Sequence, residues 1–124
     1  MIEILPESTS DTISLRASGL LTDADYKTVL IPALDAMLAR HGKLNALILL
    51  DGLLRMEPAA VWDDARYGMT HRADVGRIAL VGGADWMAWA IRLWAMVSPG
   101  EFRAFPAGEA EAARRWIGLP SATA

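Results

Sequence analysis

The alternation of apolar and polar positions predicts two short strands at the start of the chain. Ile2–Leu5 is mostly apolar, and Thr12–Ala17 places Ile13, Leu15 and Ala17 on one face with polar residues on the other. A period of two is typical of a strand that buries one face. We therefore expect two N-terminal strands, with the first antiparallel to the second.

Three later segments predict the rest of a mostly parallel sheet. Leu44–Leu50 and Ile78–Val81 are apolar on both faces, as central strands of a parallel sheet are, and Glu101–Phe105 is predicted to be an edge strand. Since helical segments separate these strands, we expect an open α/β fold of about five strands with right-handed crossovers. If the strand order follows the chain, right-handed crossovers place the connecting helices on one face of the sheet. The other face would then be covered by a dimer partner or by further helices of the chain.

The first and last predicted helices have clear boundaries. The first begins at the N-cap Thr22 and ends at Gly42, and Pro32 inside it is expected to kink or divide the helix. The last helix is Glu109–Ile117, which Gly118 ends.

The second predicted helix covers residues 58–71, and its apolar residues are expected to face inward: Val61, Trp62, Ala65 and Met69. Asp63 and Asp64 are adjacent carboxylates, which point about 100° apart on a helix and do not easily share a proton or a metal. We therefore expect both of them on a solvated face, together with Arg66 and Arg72.

The third predicted helix follows Gly82-Gly83 and is apolar around most of its circumference. One stripe contains Trp86, Trp89, Ala90, Leu93, Trp94 and Val97, and the neighbouring face contains Met87, Ile91 and Ala95. Such a helix is buried on several sides or lies against a partner, a ligand or a lipid. The chain has five tryptophans, and packing several of them into one small core is difficult. We expect Trp86 and Trp116 to be core anchors and Trp89 and Trp94 to be exposed.

Composition excludes several classes of protein. The 124 residues are expected to form a single domain, 1–124. The net charge is −3 without a basic run, which argues against nucleic-acid binding, and the lack of cysteine excludes disulfides and thiolate sites. No apolar run is long enough to span a membrane, and no secretory signal is visible, so we expect a cytoplasmic protein.

The chain offers no recognisable catalytic or cofactor motif. Gly82-Gly83 lacks the spacing of a dinucleotide-binding loop and is interpreted as a tight turn. His41 is interpreted as a residue near a helix end, no nucleophile elbow occurs, and two histidines without cysteine predict no metal cluster. We therefore expect a protein that is not an enzyme and carries neither cofactor nor metal.

Several short motifs, in order, match a known pattern: Gly19-Leu20-Leu21-Thr22, Asp25-Tyr26, Pro32, Trp62-Asp63-Asp64, Arg77 to Gly82 with Trp86, Phe105, and Glu111-Ala112 with Trp116. In these the chain resembles the SpoIIAA-like group of small bacterial proteins, which is related to STAS domains and, in fold, to CRAL-TRIO (Sec14-like) lipid-binding domains. The resemblance implies progressive (βα) units, a non-catalytic binding role and lipid contacts near the second and third helices. Asp51–Met56 lacks the serine that anti-sigma antagonists phosphorylate, so no switch of that kind is expected.

The leading hypothesis is a hydrophobic ligand, for example a lipid, bound in a groove between the second and third helices. The predicted groove residues are Trp62, Met69, Trp86, Trp89, Ala90, Leu93 and Trp94, and the candidates for binding a polar headgroup are Arg66, Arg72 and Arg92. The alternative is a protein-interaction module whose same apolar surface binds a regulatory partner or a second copy in a homodimer. Among partners, we also expect that peripheral contact with a membrane is compatible with the sequence, whereas nucleic acid is not.

Overall fold

A five-stranded, mostly parallel sheet forms the centre of the molecule in a computed structural model, which describes residues 1–51, 54–83 and 85–119. The strands in chain order are β1 (Ile2–Ile4), β2 (Ile13–Ala17), β3 (Leu20–Leu21), β4 (Leu44–Leu50), β5 (Arg55–Met56), β6 (Val75–Gly82) and β7 (Glu101–Phe105). The sheet order is β1-β2-β4-β6-β7, with β1 antiparallel to β2 and every other pair parallel. The predicted fold class is confirmed.

The short strands β3 and β5 form a separate parallel pair, which the sequence did not predict. The backbone N–H of Arg55 donates to Gly19 O at 2.8 Å, and the N–H of Glu57 donates to Leu21 O at 2.8 Å. Two residues are too few to show an alternating pattern. This pair joins the segments that lead into the helices beginning at Asp23 and Pro58, and so fixes where those two helices begin.

The helices are α1 (Asp23–Asp25), α2 (Ile31–His41), α3 (Pro58–Thr70), α4 (Asp85–Val97) and α5 (Ala110–Ile117). The predicted N-cap is present: the hydroxyl of Thr22 accepts from Asp25 N at 3.1 Å, and the Asp25 carboxylate accepts from Thr22 N at 3.0 Å. Gly42 ends α2 in the left-handed conformation, at φ 79°. Among the described residues, no helix has the length and apolar character needed to cross a bilayer.

The effect of Pro32 is a change of helix type rather than a break. Residues Tyr26–Leu30 form a π-helical segment that connects α1 to α2, and Ile31 N–H donates to Tyr26 O. Proline has no N–H, and its ring clashes with the carbonyl four residues earlier in a regular α-helix. The wider π turn before Pro32 avoids that contact, and it places Tyr26 in the interior of the protein.

Helices cover both faces of the sheet. The helices that connect parallel strands, α2, α3 and α4, lie over one face, whereas α5 packs on the other against Leu47, Ala79, Val81 and Phe105. Because α5 follows the last strand, it is not a crossover connection, and it is free to take the opposite face. The sequence allowed either a dimer partner or helices of the chain itself to cover the second face of the sheet. The structure shows that a helix of the chain, α5, covers it.

An ion pair holds α5 in this position. The guanidinium of Arg114 donates to both carboxylate oxygens of Glu7, with Nε–Oε2 at 2.8 Å and Nη2–Oε1 at 3.0 Å. A third bond joins Nη1 to Glu111 Oε1 at 3.1 Å. The Arg114 side chain is only 12% exposed. A two-pronged contact of this kind is among the stronger polar interactions in proteins, and it ties the last helix to the β1–β2 connection.

Candidate functional site

An apolar cavity of about 250 Å³ lies between the sheet and the three helices on its first face. The sheet supplies its floor, and α2, α3 and α4 supply its walls and roof. Protein interiors are normally packed to the density of organic crystals, with few voids larger than a water molecule. A space of this size is therefore a feature of the fold. The floor residues are Leu15, Ala17, Ala46, Ile48, Leu50, Ile78 and Leu80.

The cavity exists because α3 turns small and polar residues toward it. Asp64, Tyr67 and Gly68 line the cavity and share one face of the helix, since residues three and four apart are neighbours. The rim of the Trp94 ring lies against Gly68, where an added Cβ would be 2.7 Å from the ring. Glycine inside a helix costs about 1 kcal/mol relative to alanine. The missing side chain of Gly68 leaves room for the indole of Trp94, and this contact packs α4 against α3.

One polar contact crosses the cavity wall between the π-helical segment and α3. The hydroxyl of Tyr26 donates to Asp64 Oδ1 at 3.2 Å, and Tyr26 is only 5% exposed. Burial, and then the charge of Asp64, raise the pKa of Tyr26 far above its ordinary value. The hydroxyl therefore keeps its proton at physiological pH and acts as a fixed donor.

Asp64 is an ionisable group in apolar surroundings. The Asp64 side chain is exposed by surface area, but the many protein atoms around its carboxyl still desolvate the charge. This desolvation raises the pKa of Asp64, and the bond from Tyr26 opposes the shift only in part. No basic side chain among the described residues forms an ion pair with Asp64.

A second polar group lies toward the C-terminal end of α3. The hydroxyl of Tyr67 donates to Asp35 on α2 at 2.8 Å, and Arg72 lines the cavity while its guanidinium donates to Met69 O at 3.0 Å. Arg72 lies in the short 3-10 turn that follows α3. The backbone oxygen that its guanidinium contacts is five residues beyond Asp64, or roughly 7.5 Å along the helix, so Arg72 lies beyond the C-terminal end of α3 from Asp64.

The adjacent carboxylates of α3 point in different directions. Asp63 faces Asp23 of α1, and the hydrogen bond between them raises the pKa of Asp63 and lowers the pKa of Asp23. Asp64 faces the cavity. The expectation that the two would not share a proton with each other agrees with this geometry. The expectation of a solvated face agrees with the exposure of Asp64, although Asp64 also lines the cavity, whereas Asp63 is half-buried and its Oδ2 is buried.

The predicted inner stripe of α3 was also wrong. Val61, Trp62 and Met69 are exposed, Trp62 by 67%, and the polar side of the helix faces the interior. Periodicity locates an apolar stripe on a helix, but it does not reveal which neighbour covers that stripe. The spacing of Asp64, Tyr67 and Gly68 was present in the sequence. It was missed because a carboxylate is rarely expected on an inner face.

The residues predicted for the groove separate into two groups. Ala90, Trp94 and Arg72 line the cavity. The others described lie on the outer surface: Trp62, Met69, Trp89, Leu93, Arg66 and Arg92. The side chain of Trp86 lies outside the part of the chain that the structure describes. Trp89 is exposed as expected, at 60%, whereas Trp94 is half-buried against Gly68, contrary to expectation. Trp116, expected in the core, is half-buried and lies partly over it, with its ring centroid 6.0 Å from that of Phe105.

Two other expectations concern segments near the cavity. Gly82 and Gly83 both have positive φ, at 78° and 84°, as the predicted tight turn requires. Within the segment Asp51–Met56, Gly52 and Leu53 lie outside the described residues. Within the described part of the chain, no group of three or more histidine or carboxylate side chains is placed to hold a metal ion.

The fold and the cavity define a small α/β protein with an apolar interior space. Residues 12–118 match the SpoIIAA-like family, and the chain belongs to that family. It is also similar to an uncharacterised protein from Shewanella loihica whose crystal structure has a SpoIIAA-like fold. The two share 32% sequence identity and a TM-score of 0.69 over 94% of this chain and 93% of the other. No curated protein matches the chain. The SpoIIAA-like family predicted from the sequence is confirmed, whereas the relation in fold to CRAL-TRIO domains stays a prediction.

The raised pKa of Asp64 predicts how stability depends on pH. Between the unfolded-state pKa of 3.8 and the higher folded-state value, the unfolded chain releases this proton and the folded chain keeps it. The folded state therefore loses stability as pH rises through this window. Asp64→Asn lacks the titrating group, so its free energy of unfolding should rise relative to that of the native chain as pH rises through the window. Above the window, the difference between the two chains should stay constant.

Urea unfolding of both chains at a series of pH values measures this difference. Tyr26→Phe is the companion variant: among the described residues, Tyr26 provides the one hydrogen bond that favours the ionised carboxyl. Without that bond, the loss of stability with rising pH should be larger than that of the native chain. A difference between Asp64→Asn and the native chain that does not change with pH would contradict the prediction.

Proposed function

We propose that this chain is a non-enzymatic binding protein that takes a compact hydrophobic molecule into the cavity above its sheet. The observation that carries the proposal is the cavity itself, which apolar side chains from the sheet and from three helices enclose. Pockets that bind small molecules are typically concave and mostly apolar, with a few polar groups that orient the ligand. Tyr26, Asp64, Tyr67, Arg72 and Ser98 are the groups of that kind here.

The volume limits the size of the ligand. A cavity of about 150 Å³ holds benzene, so by proportion 250 Å³ holds roughly ten non-hydrogen atoms. A medium-length acyl or alkyl chain fits this space, whereas a whole membrane lipid would need α3 to move away from α4. The contact between Trp94 and Gly68 is the one that such a movement would break.

The polar groups around the cavity support binding rather than catalysis. Burial keeps the Tyr26 hydroxyl protonated, and the hydroxyl of Ser98 donates to the backbone oxygen of Arg72. His71 Nδ1 is 3.1 Å from Asp74. Within the described residues, no hydroxyl nucleophile is hydrogen-bonded to a histidine. This arrangement lacks the nucleophile and base of a hydrolase site.

A second candidate function rests on the outer surface of α3 and α4. Among the described side chains of these helices, seven large apolar ones are exposed: Val61, Trp62, Met69, Trp89, Leu93, Met96 and Val97. Met96 alone is 81% exposed. Exposed apolar patches often mark interaction sites. We propose as the alternative that this outer surface binds a regulatory partner or a second copy of the chain.

Filling the cavity tests the first proposal. Ala90→Leu places three more carbon atoms in the wall that α4 contributes, so it should weaken binding of an apolar fluorescent probe such as phenylnaphthylamine by about tenfold or more. Ala39→Leu makes the same change at an exposed position of α2 that does not line the cavity, and it should leave probe binding unchanged. If the native chain bound no such probe, or if both variants bound it equally well, the cavity would not be the binding site.

Trp89→Ala tests the alternative, because its indole lies outside the cavity. If the outer surface joins two copies, this substitution should lower the apparent mass in sedimentation velocity at high protein concentration, while probe binding persists. Ile4→Ala, which shortens an exposed apolar side chain on the first strand, is the matched control. A native chain that sediments as a monomer at every concentration would count against self-association.

A further inference from the structure

Asp64 lines the cavity, and its exposed carboxyl can accept a hydrogen bond from a ligand. Tyr26 donates to Oδ1, and among the described residues no other hydrogen bond or ion pair reaches this side chain. The surroundings of Asp64 within the cavity are apolar side chains of the sheet and helices. A polar atom in such surroundings gains stability from any hydrogen-bond donor that reaches it.

The chemistry of that carboxyl discriminates between ligand head groups. An alcohol or a protonated amine donates a hydrogen bond to a carboxylate, and the amine also balances its charge. A carboxylate or phosphate head group brings a second negative charge to the same apolar space, which costs free energy. Asp64 therefore favours donors and disfavours anions at its end of the cavity.

Arg72 offers the opposite chemistry at the other end. Its guanidinium is exposed and already donates to Met69 O. Both side chains are exposed, but they differ in how far their hydrogen-bonding groups are already used. The Arg72 guanidinium is held on a backbone oxygen, whereas Asp64 accepts only from Tyr26 among the described residues and can take a further donor.

We infer that the cavity selects a compact amphiphile whose polar end donates a hydrogen bond to Asp64, an alcohol or a primary amine rather than a carboxylate. The inference rests on the proposed function, because it names the class of ligand for the same cavity. It assigns to Asp64 the role of recognising the head group and to Tyr26 the role of orienting Asp64.

Three ligands with one chain length test this assignment. Octanol, octylamine and octanoate are each titrated against the native chain loaded with phenylnaphthylamine, and displacement of the probe reports their affinities. Octanol and octylamine should bind about tenfold more tightly than octanoate, the difference expected for one hydrogen bond. Preference for octylamine over octanol would identify the amine as the better donor, and the reverse would identify the alcohol.

Asp64→Asn should change this order. The amide oxygen still accepts from Tyr26, and the amide nitrogen then presents a donor to the cavity. Octylamine should lose about tenfold in affinity and octanoate should gain. Asp63→Asn, the same change one residue earlier and outside the cavity lining, should keep the native order. Tyr26→Phe provides a second variant: it should reduce the preference for donors, because Asp64 is no longer held.

Two results would overturn the inference. Equal affinity for the three ligands in the native chain would show that Asp64 does not select the head group, although the cavity still binds apolar molecules. Tightest binding of octanoate, lost in Arg72→Ala, would place the head group at the other end. Failure of the native chain to bind the probe at all is a different result, since it contradicts the proposed function itself.

Discussion

The way α3 is held determines the rest of the interior. Its start is fixed by the short β3–β5 pair, and its inner face is tethered by two tyrosine–carboxylate bonds, Tyr26 to Asp64 and Tyr67 to Asp35. Its contact with α4 is the ring of Trp94 against Gly68. These contacts are hydrogen bonds or local packing, and none of them requires α3 to pack an apolar face against the sheet. Space therefore remains between α3 and the sheet.

The same geometry explains the unusual distribution of side chains. A helix that seals a packed core turns its apolar residues inward, but α3 turns Asp64 inward and leaves Trp62 exposed. A desolvated carboxyl is tolerated because Tyr26 donates to it and because the cavity gives it access to water or to a ligand. Apolar walls beside a carboxyl that can accept a further hydrogen bond are suited to binding a small amphiphile.

Much of the fold could be predicted from the sequence, because local patterns determine it. The apolar runs of β4 and β6, the Thr22 cap and the Gly42 stop each depend on neighbours in the chain. The orientation of α3 depends on contacts with residues far away in the sequence, which periodicity does not contain. The π-helical turn before Pro32 placed Tyr26 beside Asp64, and a rule for regular helices predicts only a kink there.

The central claim is that an apolar space lies between the sheet and α3, and xenon tests it most directly. Crystals of the protein pressurised with xenon should show the gas bound beside Leu80 and Trp94, as in engineered apolar cavities of known structures. Crystals in which this region is closed by packed side chains, with no xenon between the sheet and α3, would contradict the account.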